Sequence, residues 1–383
     1  MSTGRTSHGA SNAALRDRKR SHLDLCRTEA VEHAGKTTLF EDVELIHNAL
    51  PELALDDLDV ATTFLGKRLR APLLITGMTG GTEEAGRVNR DLAMVAERAG
   101  IAFGLGSQRV MQRDPATAST FAVRDAAPSV PLLANLGLTQ AARQPSAAVA
   151  ALAEAVAADA VCLHLNPAQE LVQPEGDRDF RGGLAALRRL CRELPVPVIV
   201  KETGCGISRA VGEALRDAGV RHVDVSGAGG TSWVRVEALR ADADGRALGG
   251  ALAGWGIPTA ASLAMLDGLQ LELIASGGVR NGLEVAKALA LGAHLCGAAL
   301  PVFRAYEVGG VAAAAAWIDG LCHELRAVML LTGAATLDDL ARQPVLLGPR
   351  LSAWARVGRR HHSDHDEETH AERQLHGHRR TSR

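Results

Sequence analysis

A cluster of polar residues between His164 and Asp177 is the part of the sequence best suited to chemistry. It reads HLNPAQE and, two residues later, QPEGD, so an imidazole, several amides and several carboxylates lie close together. Glu170 suits Mg²⁺, which prefers one or two carboxylates and completes its shell with water and phosphate oxygens. A lone histidine at a strand end is often a satisfied core residue, but here polar side chains follow it. The segment predicts a point where a metal, a diphosphate and acid/base groups meet.

Three segments that contain glycine each follow a short apolar run. They are Ser226–Trp233, Ser276–Arg280 and Gly297–Ala299. Glycines let backbone N–H groups approach phosphate oxygens closely, and a helix N-terminus that follows adds a favourable dipole. Arg280 adds a charge-assisted contact. A glycine pair alone is usually a turn, but the pair Gly277-Gly278 after one strand, together with Gly297 after the next, predicts a phosphate site. The first segment, with Ser226 and Thr231, is either a flexible loop or a polar cover over an anionic ligand.

Lys201 ends another apolar run, in the segment VIVKE. A lysine directed into a barrel mouth is costly to bury unless an anion or an electron-rich ring accompanies it, and the alternative is a solvent-exposed side chain. A flavin suits this position, because a cation near its pyrimidine edge stabilises the anionic reduced ring. Further polar groups that can bond a planar heterocycle, and through Arg109 another phosphate, lie in Thr76–Gly81, Gly104–Arg109 and at Asn135.

Arg18, Lys19 and His22 form a basic group ahead of these segments. A basic run is most often a solvated surface. In a chain with several candidate phosphate contacts, it can also be a lid that closes over a diphosphate.

These residues need a scaffold that brings the ends of many strands together. Apolar runs predict eight strands: Pro72–Gly77, Ile101–Leu105, Val130–Asn135, Ala160–Leu165, Pro197–Lys201, His222–Val225, Leu271–Ala275 and His294–Gly297. Between them the pattern predicts helices over Glu83–Arg98, Gln144–Ala158, Gly183–Glu193, Ser208–Asp217, Thr259–Asp267 and Leu283–Leu291, with a weaker connection near Ala116–Ala126. A last long helix, Ala-rich over Gly310–Ala315, runs to about Leu331.

Strands that are apolar throughout and alternate with helices are typical of a parallel sheet covered on both faces. An open doubly wound sheet also alternates in this way. Here, however, polar residues and glycines follow nearly every strand and are not gathered at a single crevice. In a barrel, the carboxyl ends of the strands form the catalytic face. The pattern therefore favours an α/β fold of the (β/α)8 TIM-barrel type.

Composition sets the remaining bounds. The chain has 383 residues, 46% hydrophobic and 3% aromatic, with a formal charge of −2. It therefore has enough Ala, Val and Leu for a large core and no overall charge that favours nucleic acid or a membrane. Six scattered cysteines without a C-x-x-C pair indicate reduced thiols, and the N-terminus lacks the apolar stretch of a signal peptide, so we expect a soluble cytoplasmic protein.

Domain boundaries follow from the same reading. We expect a disordered lead over residues 1–15, a substrate-binding extension over 16–70 and the barrel over 71–345. The charged, His-rich segment over 359–383 is expected to be a disordered tail, with metal binding as the alternative.

Several segments in order resemble type 2 isopentenyl diphosphate isomerase, an FMN-dependent family. They are RKRSHL (Arg18–Leu23), MTGG (Met78–Gly81), GLGSQR (Gly104–Arg109), HLNPAQE with QPEGD (His164–Asp177), VKETGCGIS (Val200–Ser208), SGAGGTSW (Ser226–Trp233), WGIPTA (Trp255–Ala260) and ASGGVRNG (Ala275–Gly282). The resemblance runs from about Arg16 to Phe303. HLNPAQE with QPEGD is its most specific part, since the glycine loops alone fit many FMN barrels.

The resemblance implies roles for individual residues. It implies FMN contacts from Thr76, Met78, Thr79, Gly80, Ser107, Asn135, Lys201, Ser226, Thr231, Gly278, Val279, Arg280, Ala299 and Leu300. It implies substrate contacts from Arg18, Lys19, Gln108, Arg109 and Gln169, with His164 and Asn166 lining the catalytic pocket beside Gln169 and Mg²⁺ at Glu170.

The resemblance also implies a reaction, the interconversion of isopentenyl and dimethylallyl diphosphate in isoprenoid biosynthesis. It implies that reduced FMN acts as the acid/base. It also implies that NADPH is needed only to reduce the flavin and is not consumed in each turnover, and that the enzyme is a homo-oligomer, a tetramer or octamer. Two alternatives stay open: an FMN-dependent 2-hydroxy-acid oxidoreductase on the same barrel, and a non-catalytic barrel that senses flavin or phosphate.

Overall fold

The computed structural model describes residues 18–357, and its centre is a closed barrel of eight parallel strands. The described strands are β1 (Val43–Leu45), β2 (Thr62–Phe64), β3 (Lys67–Leu69), β4 (Leu73–Ile75), β5 (Ala102–Gly104), β6 (Leu132–Gly137), β7 (Ala160–Leu165), β8 (Val198–Glu202), β9 (His222–Asp224), β10 (Glu272–Ser276), β11 (Ala293–Ala298) and β12 (Val345–Leu347). The barrel consists of β4 to β11, and β11 pairs in parallel with β4 to close it. The predicted (β/α)8 fold is confirmed.

Helices surround the barrel. They are α1 (18–28), α2 (Glu83–Ala99), α3 (Arg109–Arg113), α4 (Leu138–Ala142), α5 (Ser146–Glu154), α6 (Pro167–Val172), α7 (Gly183–Glu193), α8 (Arg209–Asp217), α9 (Trp233–Arg240), α10 (Ala243–Ala251), α11 (Thr259–Leu266), α12 (Gly282–Ala290), α13 (Leu300–Thr332) and α14 (Leu337–Ala341). Local sequence explains their ends. The Thr82 hydroxyl accepts the Ala85 N–H at the start of α2, and Gly100 ends that helix in the left-handed conformation.

All eight predicted barrel strands are present, and β7 and α7 have the predicted bounds. The weak second connection contains a short 3₁₀ helix over Pro115–Thr120. The last long helix, α13, ends at Thr332, close to the predicted end at about Leu331, and non-helical backbone at Gly309 and Gly310 divides it in two. Glycine adopts such backbone at low cost, which explains why the break lies there.

A hairpin of β2 and β3 closes the amino end of the barrel and was not predicted. Phe64, 1% exposed, packs with inward-facing residues of the barrel strands such as Leu74 and Ile199. The Nζ of Lys67 lies 2.8 Å from Oδ2 of Asp159 and anchors the hairpin to the barrel. With this end filled, the carboxyl ends of the strands form the accessible mouth.

The segments around the barrel also contact one another. The antiparallel pair of β1 and β12 joins residues before the barrel to residues after it. The predicted lead over 1–15 and tail over 359–383 lie outside the described residues. All six cysteines are free thiols. Within residues 18–357, every helix is too short or too polar to cross a bilayer.

Candidate active site

A cavity opens at the carboxyl ends of the barrel strands, under α1. We call it the mouth cavity; it has about 1460 Å³ of empty space, including its open part. Its wall includes the predicted residues Arg18, Lys19, Thr76, Met78, Thr79, Ser107, Arg109, Asn135, His164, Asn166, Gln169, Glu170, Lys201, Ser226, Thr231, Gly278, Val279, Arg280, Ala299 and Leu300.

Two predicted residues lie outside this wall. Gln108 is fully buried, and its side-chain Oε1 accepts the Asn135 N–H at 3.0 Å while Nε2 donates to the Leu152 carbonyl at 3.2 Å. Gln108 therefore supports β6 from behind the wall. Gly80 packs its backbone against the ring of Phe121, where a side chain would overlap. The resemblance alone does not show these orientations, because they depend on contacts distant in sequence.

The side of the mouth cavity under α1 is strongly basic. Lys19 is 7% exposed, and burial, together with the neighbouring Arg18 and Arg109, lowers its pKa to about 7. The Nε of Arg18 is buried and has no hydrogen-bond partner among residues 18–357. Buried donors and close like charges disfavour this arrangement unless an anion enters. The basic side therefore suits a highly charged anion such as a diphosphate.

Glu237, on α9, ties this basic side together. Its fully buried carboxylate lies 2.9 Å from Nε2 of His22 and 2.5 Å from Nη1 of Arg240, and it accepts from Nε2 of Gln169 at 3.1 Å. Burial alone raises its pKa, but hydrogen bonds and cations outweigh burial and lower the pKa to about 2. The resulting fixed anion joins α1 to the Gln169 side chain. The ring of His22 also packs edge-on against Trp233, with centroids 5.1 Å apart.

Glu170 lies at the start of α6 with 4% exposure. Its Oε1 accepts from Nδ2 of Asn166 at 3.0 Å, and Oε2 accepts the Asp177 N–H at 2.6 Å. A carboxylate has about four lone-pair sites, so both oxygens can still bind a cation. Within residues 18–357 no group of three His, Cys, Asp or Glu side chains is arranged to hold a metal ion. A cation at Glu170 would therefore take its other ligands from a bound molecule and water, as Mg²⁺ does.

His164 is a neutral imidazole. Burial and then the nearby cations, first Lys19 and Lys201, lower its pKa to about 3. Its Nδ1 lies 2.8 Å from Oδ1 of Asn135, so Nδ1 carries the proton and donates it, which leaves Nε2 as an acceptor. His164 thus suits binding and orientation rather than donation of a proton at neutral pH.

The opposite side of the mouth cavity fits FMN. The Thr79 hydroxyl oxygen is buried without a hydrogen-bond partner among residues 18–357, as expected for an atom that bonds a ligand. Gly278 has a φ of +91° and lies so close to Thr38 and Gly229 that an added Cβ would meet them at 2.5 and 2.9 Å. The uncapped N-terminus of α13, at Ala299 and Leu300, supplies N–H groups suited to phosphate.

Lys201 also lines the mouth cavity. Its Nζ donates to Oδ2 of Asp224 at 2.9 Å and to Oγ of Ser276 at 3.2 Å. Glu202, the next residue, is turned away from the cavity and accepts the Thr203 N–H at 2.6 Å; burial raises its pKa to about 7.

Sequence reasoning missed Glu237 and Asp224. Glu237 lies four residues after Trp233, on the same face of a helix that had not been predicted, so that spacing was the available signal. Asp224 lies within a predicted strand, and the sequence alone does not indicate its partners. Its role becomes apparent from its contacts with Lys201 on β8 and Ser276 on β10.

Comparison with known proteins agrees with this geometry. Residues 138–346 match the family model of FMN-dependent dehydrogenases. The isopentenyl-diphosphate delta-isomerase of Synechococcus sp. is 49% identical over 341 residues, which cover 88% of this chain and 98% of that protein. The enzyme of the same name from Methanoregula boonei is 46% identical over 340 residues, covering 87% of this chain and 94% of that protein.

Solved structures share the fold at lower sequence identity. A lactate oxidase of Pediococcus acidilactici has a TM-score of 0.65 and 18% identity, covering 89% of this chain and 94% of that one. A mandelate oxidase variant with an FMN adduct has a TM-score of 0.58 and 18% identity, covering 87% and 100%. These likenesses show the barrel fold. The identities of 46–49% over most of both chains go further, and the chain belongs to the type 2 isopentenyl-diphosphate delta-isomerase family, on the fold of the FMN-dependent dehydrogenases.

Proposed function

We propose that this protein is an isopentenyl-diphosphate delta-isomerase that uses reduced FMN and Mg²⁺ in isoprenoid biosynthesis. The observation that carries the proposal is one cavity with two chemically different sides, in a chain 46–49% identical to enzymes of that name. One side suits a flavin phosphate and ring, and the other suits a diphosphate next to a carboxylate.

FMN would be held by groups from many strand ends. The N–H groups around Gly278, Val279, Ala299 and Leu300 and the Arg280 side chain suit its phosphate. Polar groups from Thr76, Met78, Thr79, Ser107, Asn135, Lys201, Ser226 and Thr231 suit its ring and ribityl chain. Gly80 supports this wall from behind rather than lining it.

The diphosphate would be held between α1 and α6. Arg18, Lys19 and Arg109 supply positive charge, and Glu170 supplies the protein ligand for Mg²⁺, whose other ligands would be diphosphate oxygens and water. Gln108 is omitted from these contacts because its side chain bonds backbone groups behind the wall.

The reaction requires a proton to be added to an unactivated alkene and another removed from the adjacent carbon. When bound, reduced FMN supplies an electron-rich ring with an acid/base nitrogen. Gln169 orients the substrate, because Glu237 and Asn166 fix its amide on both sides, at 3.1 and 3.2 Å. His164, held neutral, offers an acceptor and adds no further positive charge beside a developing cation.

Three finer properties belong to the same proposal. We propose that NADPH reduces the flavin before turnover and is not consumed in it. The free, scattered thiols support a reducing cytoplasmic location. The family resemblance supports a homo-oligomer, a tetramer or octamer.

A 2-hydroxy-acid oxidase is the second candidate, because oxidases share the fold. Such chemistry needs a base beside the flavin, and a histidine near the seventh barrel strand, β10, is the expected position for it. The histidines on the strands next to β10 are His222 and His294, and both rings contact Phe64 at the closed amino end of the barrel. This placement favours the isomerase.

The test is an anaerobic assay with isopentenyl diphosphate, FMN, Mg²⁺ and NADPH, beside an aerobic assay with lactate or mandelate. We expect dimethylallyl diphosphate in the first assay and no hydrogen peroxide above background in the second. Peroxide formation by FMN-loaded protein without isomerisation would establish the oxidase instead. Absence of both activities in FMN-loaded protein would favour the third alternative, a non-catalytic barrel that senses flavin or phosphate.

A further inference from the structure

Asp224 is a buried carboxylate beneath the mouth cavity. It is 2% exposed, and it lies opposite Lys201 in the parallel register of β8 and β9. Its Oδ2 is 2.9 Å from Nζ of Lys201, and its Oδ1 accepts from Oγ of Ser276 at 2.5 Å and from the Ser226 N–H at 3.1 Å. Three neighbouring strands therefore cooperate to hold one ion pair.

The two partners differ in what they present to a ligand. Lys201 and Ser276 line the mouth cavity, whereas Asp224 lies behind them. An ammonium has three N–H donors, and two of those of Lys201 are bound to Asp224 and Ser276. The third remains for a bound molecule, so the carboxylate fixes both the place and the direction of the lysine.

The nearest titratable groups leave this pair as the main source of local charge. Burial and nearby cations lower the pKa of His164 to about 3, and burial raises the pKa of the Cys162 thiol to about 12, so both are neutral at pH 7. Glu202 directs its carboxylate to the N–H groups of Thr203 and Cys205, away from the cavity. The bottom of the mouth cavity thus carries the positive charge of Lys201, which the Asp224 carboxylate offsets.

We propose that Asp224 is a positioning residue that fixes the Lys201 ammonium under the flavin and offsets its charge, and so sets the balance between binding of oxidised and reduced FMN. The inference rests on the proposed function in one respect, that FMN occupies the mouth cavity. Reduced flavin is anionic when a cation stabilises it, so an uncompensated lysine favours the reduced form.

The test is a double-mutant cycle of Asp224→Asn and Lys201→Met in the full chain. The measured quantity is the ratio of the FMN dissociation constants for the oxidised and reduced states. We expect Asp224→Asn to tighten reduced FMN relative to oxidised FMN about tenfold, which corresponds to a midpoint potential about 30 mV higher for a two-electron couple. In the Lys201→Met background the same substitution should change the ratio less than about twofold, because there is no ammonium to compensate.

Ser276→Ala is the matched control. It removes one hydrogen bond to Asp224 and one from Lys201 without changing any charge. Both FMN affinities can therefore fall, but their ratio should stay within about twofold of wild type. Asp224→Ser serves in place of Asp224→Asn if the latter does not fold. An unchanged ratio in a folded charge-removing variant, or an equal shift with and without Lys201, would overturn the inference. Wild-type protein that fails to bind FMN would overturn the proposed function, and the inference with it.

Discussion

The Nε2 of Gln169 lies 3.1 Å from Oε1 of Glu237, a carboxylate with no exposed surface. The other end of the same amide is fixed as well, because its Oε1 accepts from Nδ2 of Asn166 at 3.2 Å. The amide therefore has one orientation, set by α9 on one side and by Asn166, which precedes α6, on the other. Since Glu237 also bonds His22, the position of α1 and the orientation of Gln169 are coupled.

Glu237→Gln should damage both activity and stability. The change leaves Arg240 and His22 without their buried anion, and breaking a buried ion pair costs about 3 kcal/mol. We expect kcat to fall at least about tenfold, because Gln169 loses its fixed orientation. Steady-state kinetics and urea unfolding measure the two effects.

Glu175→Gln is the control for that substitution. Glu175 pairs with Arg18 at 3.3 Å, but its side chain is 50% exposed. Its loss should cost less than about 1 kcal/mol. Equal effects of the two substitutions on stability and on kcat would contradict the role given to Glu237.

The lowered pKa of Lys19 predicts the pH dependence of substrate binding. With a pKa of about 7, the ammonium is charged below that pH and neutral above it, so a diphosphate loses one cationic contact as pH rises. We expect kcat/KM, which reports the free enzyme, to fall as pH rises through about 7. Lys19→Arg keeps its charge and should move the fall to higher pH. An identical profile in both proteins would rule out Lys19 as its source.

Glu170→Gln tests the metal site. Loss of a residue that only hydrogen-bonds a metal ligand weakens metal binding roughly 10–100-fold. Glu170 is a direct ligand in this proposal, so its loss should raise the Mg²⁺ concentration for half-maximal activity by at least that factor. FMN binding should stay unchanged, because Glu170 lies on α6, at the side of the mouth cavity proposed for the diphosphate rather than the flavin. Glu193→Gln is a control, since that carboxylate bonds Ser146 on the outer helices. An unaltered Mg²⁺ titration in Glu170→Gln would place the metal elsewhere.

Gly278→Ala should weaken FMN binding. Both Gly278 and Gly268 have positive φ, at +91° and +76°, which costs a residue with a side chain about 1–2 kcal/mol. An added Cβ at Gly278 would also meet Thr38 and Gly229, whereas Gly268 has open space around it. We therefore expect the FMN dissociation constant to rise more than about tenfold for Gly278→Ala only. Similar FMN affinity in both variants, measured by fluorescence quenching, would contradict the placement of the flavin phosphate.

The sequence predicted the barrel well because its signals are local. Apolar runs such as Ala160–Leu165, with helices such as Gly183–Glu193 between them, need no knowledge of distant contacts. Glu237 escaped prediction because its partner His22 is 215 residues away. The side chain of Gln108 points away from the cavity and bonds the Leu152 carbonyl, and this orientation likewise depends on contacts between residues distant in sequence. The hairpin that contains Phe64 was missed because its strands have three residues each.

The most direct test of the central claim, proton transfer to and from isopentenyl diphosphate, is product analysis in D₂O. Protein loaded with reduced FMN and Mg²⁺ is incubated anaerobically with the substrate, and the product is examined by mass spectrometry and deuterium NMR. We predict dimethylallyl diphosphate with solvent deuterium in a methyl group, because an exchangeable acid protonates the alkene. Absence of dimethylallyl diphosphate from protein that retains reduced FMN would contradict the claim.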